Sequence, residues 1–421
     1  VVVVAVVLIA TNAVAQRQTA GPHAGAATST SRSDQATAAH HPGALSPRAL
    51  PPGAVPPTVG LRPGATSPSA AGLLTAEETL PKLTTTQLAG QRVIYSYTGL
   101  TPPARLLSLI RAGDVAGVIF FSNNVSSPAQ ISSVAQELQQ AAMSRSDPVH
   151  LPLLLMTDQE GGLVRRLSWA GPYLSEKQVG ASANPSKAAT RAGNQAGSGL
   201  HAVGLNVNLA PVLDVYRQAG NFIDQFGRSF SNNAGEVAKL GTLYVKAEQA
   251  HGVAGTVKHF PGLGAAATNE DTDLRPVTLH LSLSAIRNID ERPYKPAIAA
   301  NVKLVMVSWA VYPALDARYP AGLSSTIVQG ELRNRLGFGG VTITDALEAG
   351  ALVSFGSIAR RATLAARAGM DLLLCAAGSA SEGESAMNSM AYDYTHGSLN
   401  KIAFKAAVER VLALRASLAK S

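Results

Sequence analysis

Gly255-Thr256-Val257-Lys258-His259-Phe260-Pro261-Gly262-Leu263-Gly264 is the stretch on which the reading of this chain turns. Gly255 to Val257 reads as an apolar strand, and Pro261-Gly262 reads as the turn that ends it. A cation and an imidazole therefore leave a buried strand at its carboxyl end. Polar side chains in that place usually face a ligand pocket.

To either side of this run, short apolar β-type segments alternate with helical patterns from Leu73 onward, the rhythm that implies a parallel sheet. Eight strands are expected, at Arg92–Tyr97, Gly117–Phe121, Leu153–Thr157, Val207–Ala210, Gly255–His259, Leu304–Ser308, Val341–Thr344 and Asp371–Cys375. Between the second and third, Ser127 is placed to cap a helix and Pro128 to begin it, with Ile131, Val134, Leu138 and Ala142 along one face. Further helices are expected at Pro185–Ala202, Ala234–His251, Ser284–Ala300, Ser357–Ala368 and Leu399–Leu418. Eight such units predict an α/β fold, a (β/α)8 TIM-type barrel forming one catalytic domain over residues 73–421. An open, doubly wound sheet is the alternative. Only the barrel brings the polar residues past every strand to one mouth.

The N-terminal part has a different composition. Val1 to Ala10 is apolar and Ala13-Val14-Ala15 has the small-residue form of a cleavage site, so residues 1–15 read as a signal peptide remnant. The apolar run is shorter than the roughly 20 residues that a spanning helix needs, and membrane association is expected only if this segment stays uncleaved. Residues 16–72 are rich in Ala, Pro, Ser, Thr and Gly and read as a disordered linker. The expected location is secreted or associated with the cell envelope.

Of the formal charge of +8, the linker carries +3, from Arg17, Arg32, Arg48 and Arg62 against Asp34. The remainder is spread over a long domain without a basic cluster interleaved with aromatics, which argues against a nucleic-acid partner. Cys375 is the only cysteine, so an intrachain disulfide is excluded, and Leu372-Leu373-Leu374-Cys375 marks it as a small buried hydrophobe. With no clustered His/Cys spacing, no metal site is expected.

The strand ends carry the chemistry. Asp158-Gln159-Glu160-Gly161-Gly162 follows the third strand, with carboxylates able to accept sugar hydroxyls and glycines that let backbone approach a ligand. Asn208 to Asp214 and Arg228-Ser229-Phe230 follow the fourth, and Asp345 follows the seventh. Glycoside hydrolysis needs a carboxylate to attack or stabilise the sugar cation and an acid to protonate the leaving oxygen. Asp345 fits the first role, although an Asp at a strand end can also simply cap the next helix.

Taken in order, these blocks resemble family 3 glycoside hydrolases, in particular the bacterial β-N-acetylhexosaminidase branch. Gly117 to Phe121, Asp158 to Gly162, Asn208 to Asp214, Lys258 to Gly264, Tyr312-Pro313-Ala314-Leu315-Asp316 and Leu336 to Asp345 carry the likeness, over nearly all of Leu73 to Leu414. The resemblance implies a retaining exo-glycosidase without metal or organic cofactor. In it Asp345 forms a covalent glycosyl-enzyme, and Asp158, Arg228, Lys258 and His259 grip the terminal sugar. The expected partner is an N-acetylglucosamine-containing glycan, and the expected state a monomer.

The sequence departs from that family in two places. The branch carries an Asp-Ser/Thr-His triplet on a loop after the Lys-His motif, and here the triplet reads Asp271-Thr272-Asp273, with no histidine before His280. A desolvated carboxyl beside a second carboxylate can act as an acid, so Asp273 with Asp271 is a physically sound substitute; a solvated acidic turn is the plain alternative. Trp309 stands where the family commonly has a histidine, either to stack on a sugar face or to fill the pocket wall. A catalytically impaired sugar-binding protein on the same barrel is the competing function. A β-glucosidase would be expected to carry a second α/β domain, for which too little chain follows Cys375.

Overall fold

In the computed structural model, residues 80–144 and 146–419 are described; the signal-peptide and linker expectations lie outside them. Eight parallel strands close into a barrel in chain order: β1 (Val93–Tyr95), β2 (Gly117–Phe120), β3 (Leu154–Thr157), β4 (Val207–Asn208), β5 (Ala254–Phe260), β6 (Leu304–Val307), β7 (Val341–Ala346) and β8 (Leu372–Leu374), with β8 pairing back onto β1. Closure leaves no sheet edge, and it excludes the open doubly wound alternative. All eight expected strands are present, with ends shifted by at most two residues.

Inward-facing apolar side chains fill the barrel, among them Ile94, Ile119, Met156, Val207, Leu304, Met306, Ile343 and Leu372, each no more than 2% exposed. The outer helices are set by side-chain caps, of which Ser127 was anticipated from sequence. Ser127 Oγ accepts from Gln130 N at the start of α2 (Pro128–Ala142), which follows α1 (Ala104–Arg111). Asn184, Asn233 and Ser357 do the same for α3 (Pro185–His201), α4 (Ala234–Gln249) and, further on, α6 (Ile358–Ala368). Each such cap contributes about 1 kcal/mol.

One expected helix, Ser284–Ala300, is broken. The chain forms a short turn at Leu283–Ala285, a π-helical turn at Ile286–Asp290, and only then α5 (Tyr294–Ala299). Pro293 and Pro296 have no N–H to donate and clash with a preceding carbonyl, which accounts for the interruption. Helical segments beyond the sequence expectation include α1, a π-helix at Thr326–Arg335, and α7 (Ala380–Thr395).

The last helix, α8 (Lys401–Leu418), closes the amino-terminal end of the barrel. Val411 and Leu414 join the interior cluster, and the buried Arg415 guanidinium donates to the carbonyls of Leu151 and Pro152 ahead of β3. Beside it, Asp371 at the start of β8 accepts from Arg410 and Arg333. With that end plugged, the open end is the carboxyl one, where the polar strand-end residues gather. Cys375 is fully buried, as its apolar context implied, and burial pushes its thiol well above the ordinary value. Among the described residues, no helix is long and apolar enough to cross a membrane.

Candidate active site

Asp158, Gln159 and Glu160 continue beyond β3 as the first arm of a small hairpin, Gln159–Gly161 against Val164–Arg165. Alternation in an extended segment sends Gln159 to one side and its two neighbours to the other. Gln159 faces inward: its amide nitrogen donates to the carbonyls of Leu167, Ala170 and Gly171, and its oxygen accepts from Leu167 N. Asn208 at the end of β4 clamps the Gln159 backbone as well, accepting from its N–H at 3.0 Å and donating to its carbonyl at 3.2 Å. These bonds fix the segment so that the Asp158 and Glu160 carboxylates are held rather than free to swing.

Lys258, in β5, lies between them. Its Nζ is 2.8 Å from Asp158 Oδ1 and 2.7 Å from Glu160 Oε1. Glu160 also takes a bidentate pair from Arg228, with Nε donating at 2.9 Å and a terminal nitrogen at 2.8 Å. Burial alone would raise the two carboxyls, but Arg228 and Lys258 hold Glu160 far below its usual range, and Lys258 with Arg166 holds Asp158 below its own. Burial would likewise depress Lys258 and Arg228, and the paired carboxylates keep both cations charged, above their ordinary values. The site thus presents fixed charges and hydrogen-bond groups at neutral pH, suited to a neutral, polyhydroxylated ligand.

His259 follows Lys258 through a cis peptide bond. Its Nδ1 is 2.7 Å from Asp214 Oδ2, and Asp214 Oδ1 accepts from Leu263 N at 2.7 Å. A carboxylate at Nδ1 places the proton there and leaves Nε2 as the acceptor. Arg228 lies 3.4 Å from that nitrogen.

Asp345 is the penultimate residue of β7, within the strand rather than just beyond it, and its Oδ1 accepts from Ala346 N at 2.8 Å. The loop after β5 carries Asp271 and Asp273 to the same place. Asp271 Oδ1 accepts from Asp273 N at 2.9 Å, an Asx turn that fixes the loop tip. The loop is docked on the segment after β7, where Gly350 N donates to Asp273 O at 2.8 Å and Ala351 N to Thr272 O at 3.1 Å. Burial first, then the charges of Asp345 and Asp271, push the Asp273 carboxyl well above the ordinary value; burial also raises Asp271, opposed by the Asp273 N–H. Asp271 and Asp273 are both half-buried, with Thr272 buried between them.

The residues expected at the site, Asp158, Arg228, Lys258, His259, Asp271, Asp273 and Asp345, meet at the carboxyl mouth of the barrel. Three participants were missed. Glu160 and Asp214 stood in the quoted runs without assigned roles, and their contacts with Lys258, Arg228 and His259 join segments distant in sequence. Arg166, whose guanidinium lies 3.9 Å from Asp158 Oδ2 with its Nε buried and unpartnered, comes from the hairpin's return arm. The hairpin itself had no counterpart among the expected elements. Trp309 is 1% exposed and does not present a face to ligand; it fills the wall between β6 and β7.

A closed parallel barrel with fixed charges and paired carboxyls at its carboxyl mouth is the layout of a (β/α)8 enzyme. The chain belongs to glycosyl hydrolase family 3: the pattern of the Glycosyl hydrolase family 3 N terminal domain matches residues 84–414. It is 48% identical over 332 residues to an uncharacterized secreted glycosyl hydrolase of Arthroderma benhamiae, covering 78% of this chain and 93% of that one. It is 34% identical over 325 residues to Beta-hexosaminidase A of Pseudoalteromonas piscicida, covering 69% of this chain and 53% of that protein. Among solved structures, a family 3 β-N-acetylglucosaminidase from a Paenibacillus species superposes with a TM-score of 0.75 at 35% identity, over 80% of this chain and 63% of that one. The chain thus spans between about half and two thirds of the length of the latter two.

Proposed function

We propose that this glycoside hydrolase is a secreted, retaining exo-enzyme that removes terminal β-linked N-acetylhexosamine from cell-wall or chitin-derived oligosaccharides. The sugar preference rests on the hexosaminidases and the acetylglucosaminidase to which the chain is similar. In this reading Lys258, Asp158, Arg228 and His259 grip hydroxyls of the terminal sugar, with Arg166 beside them. A carboxylate of Asp345 attacks the anomeric carbon as the glycosidic C–O bond breaks, and the proton on Asp273 passes to the leaving oxygen. Water then gives a proton to the Asp273 carboxylate and attacks the anomeric carbon, releasing Asp345.

The observation that carries the reading is the electrostatic pairing of Asp273 with Asp345. Asp273, desolvated and pressed by the charges of Asp345 and Asp271, is held toward its protonated form, the state a proton donor to the leaving oxygen needs. This also favours an active enzyme over a sugar-binding barrel that has lost its acid. The test is a panel of aryl glycosides assayed with wild type, Asp345→Ala and Asp273→Asn. Turnover of the N-acetyl-β-glucosaminide by wild type, its loss in Asp345→Ala and its strong reduction in Asp273→Asn are expected. Absence of turnover of every glycoside by wild type, with sugar binding retained, would leave the binding protein as the function.

A further inference from the structure

We propose that Trp309 is a positioning residue for the candidate nucleophile: its indole N–H fixes the Ala346–Leu347 peptide, one residue beyond Asp345. The inference rests on the assignment of Asp345 made above.

The β6–β7 ladder runs in register from Leu304↔Val341 to Val307↔Thr344 and stops there. On the other side, β7 and β8 slip between Ile343↔Leu372 and Ala346↔Leu374, where three steps along β7 match two along β8. Asp345 lies inside this bulge, at the point where main-chain pairing no longer dictates the path of the strand. Bulges re-aim a side chain, and the extra residue has to be held by something other than the ladder.

Trp309, just beyond β6, does so. Its Nε1 donates to Ala346 O at 2.8 Å, and from the opposite side Leu347 N donates to Leu374 O at 2.9 Å. The peptide joining Ala346 to Leu347 is therefore clamped at both ends, its oxygen by the β6 side and its nitrogen by β8. The N–H of the same Ala346 donates to Asp345 Oδ1 at 2.8 Å. One residue thus links the indole to the carboxylate that is to attack.

The ring cannot drift. A Cβ on Gly322 would lie 2.5 Å from Trp309 Cζ3, so the six-membered ring rests directly on that glycine's backbone, and the side chain is 1% exposed. A tryptophan used only as filler would need no partner for its N–H beyond satisfying a buried donor. Here the partner is the carbonyl of Ala346, the residue after Asp345, at the place where the ladder has ended.

Trp309→Phe keeps an apolar ring and removes the N–H; Trp309→His restores a ring N–H donor. With an N-acetyl-β-glucosaminide carrying a good leaving group, which needs little help from an acid, Trp309→Phe is expected to lower kcat by about 10- to 100-fold, the scale of a misplaced reacting group. KM should stay within about 2-fold, because the residues that grip the sugar are untouched. Partial recovery of kcat in Trp309→His supports the role. Gly322→Ala, which pushes on the indole without altering its chemistry, should reproduce the kcat loss and serves if Trp309→Phe fails to fold. Wild-type kcat in Trp309→Phe, with only a lower Tm, overturns the positioning role alone. Asp345→Ala is assayed alongside with added azide: loss of turnover with recovery as the inverted glycosyl azide keeps the nucleophile assignment, whereas undiminished turnover overturns that assignment and this inference with it.

Discussion

His259 and Asp214 are joined by a 2.7 Å contact between Nδ1 and Oδ2, in which the carboxylate is fully buried and accepts two further main-chain donors, His259 N at 3.3 Å and Leu263 N at 2.7 Å. One side chain thus sets the tautomer of the imidazole, its orientation and the start of the loop that leads to Asp271. In Asp214→Asn the amide is nearly isosteric but cannot satisfy all three donors. KM for an aryl N-acetylglucosaminide should rise by about 10-fold or more, the usual scale for removing the partner that orients a ligand-binding histidine, with a smaller change in kcat. Steady-state kinetics would reveal it; an unaltered KM would mean that His259 does not grip substrate.

Glu160 is the junction of Arg228 and Lys258, in direct ion pairs with both cations. Glu160→Gln should destabilise the fold by about 3–5 kcal/mol, the range for breaking a buried ion pair from one side. Its stabilising contribution has a definite pH dependence. The folded-state carboxyl titrates well below its unfolded value, so its stabilisation is present above the unfolded value and is lost as pH falls through that value toward the folded one. Chemical denaturation of the two proteins should therefore differ at pH 7 and converge in acid.

Asp273 as proton donor predicts a basic limb in the pH–rate profile. Its carboxyl titrates well above the ordinary value, so activity should persist while the group is protonated and fall as pH rises through that raised value. Asp273→Asn should lack this limb and lose about 100- to 10,000-fold in kcat with a poor leaving group. With a good leaving group the loss should be much smaller. An unchanged profile in the variant would remove Asp273 from the proton transfer.

Gly350 is where the acidic loop docks. A Cβ there would lie 2.3 Å from Leu274 O, and the Gly350 N–H donates to Asp273 O at 2.8 Å. Gly350→Ala should lift the loop, lowering kcat by about 10- to 100-fold as expected for a misplaced acid, with sugar binding preserved. Isothermal titration with the free sugar beside turnover assays separates the two effects.

Asp290 lies behind Asp214 and is held 2.6 Å from Arg217, yet burial and the nearby Asp214 raise its carboxyl to about 7. A raised carboxyl binds its proton more tightly in the folded state. Charging it therefore costs stability progressively as pH rises from the unfolded value near 4 to about 7. Wild type should lose stability over that window by a few kcal/mol more than Asp290→Asn, since holding a proton against a tenfold change in its activity takes about 1.4 kcal/mol. Thermal unfolding of both proteins at pH 5 and pH 8 measures the difference.

The sequence by itself pointed to the barrel and to most of the residues at its mouth. Eight apolar runs punctuated by turns and capped helices admit few closed arrangements, and a polar residue at the end of a parallel strand has only one end of a closed barrel to occupy. For that reason Asp158, Lys258, His259 and Asp345 could be assigned to one site from their strand-end positions alone. Tertiary structure alone decided what those residues do to one another. The pairing of Glu160 with Arg228 and Lys258, and of Asp214 with His259, joins segments tens of residues apart, and no local pattern encodes it. The character of Asp271-Thr272-Asp273 was equally undetermined, because a carboxyl becomes an acid through its surroundings, and those come from β7 and the segment after it. Trp309 is the plainest case. Its composition allowed stacking on a sugar or filling a wall, and only the end of the β6–β7 ladder, one residue short of Asp345, gave its N–H a carbonyl to hold.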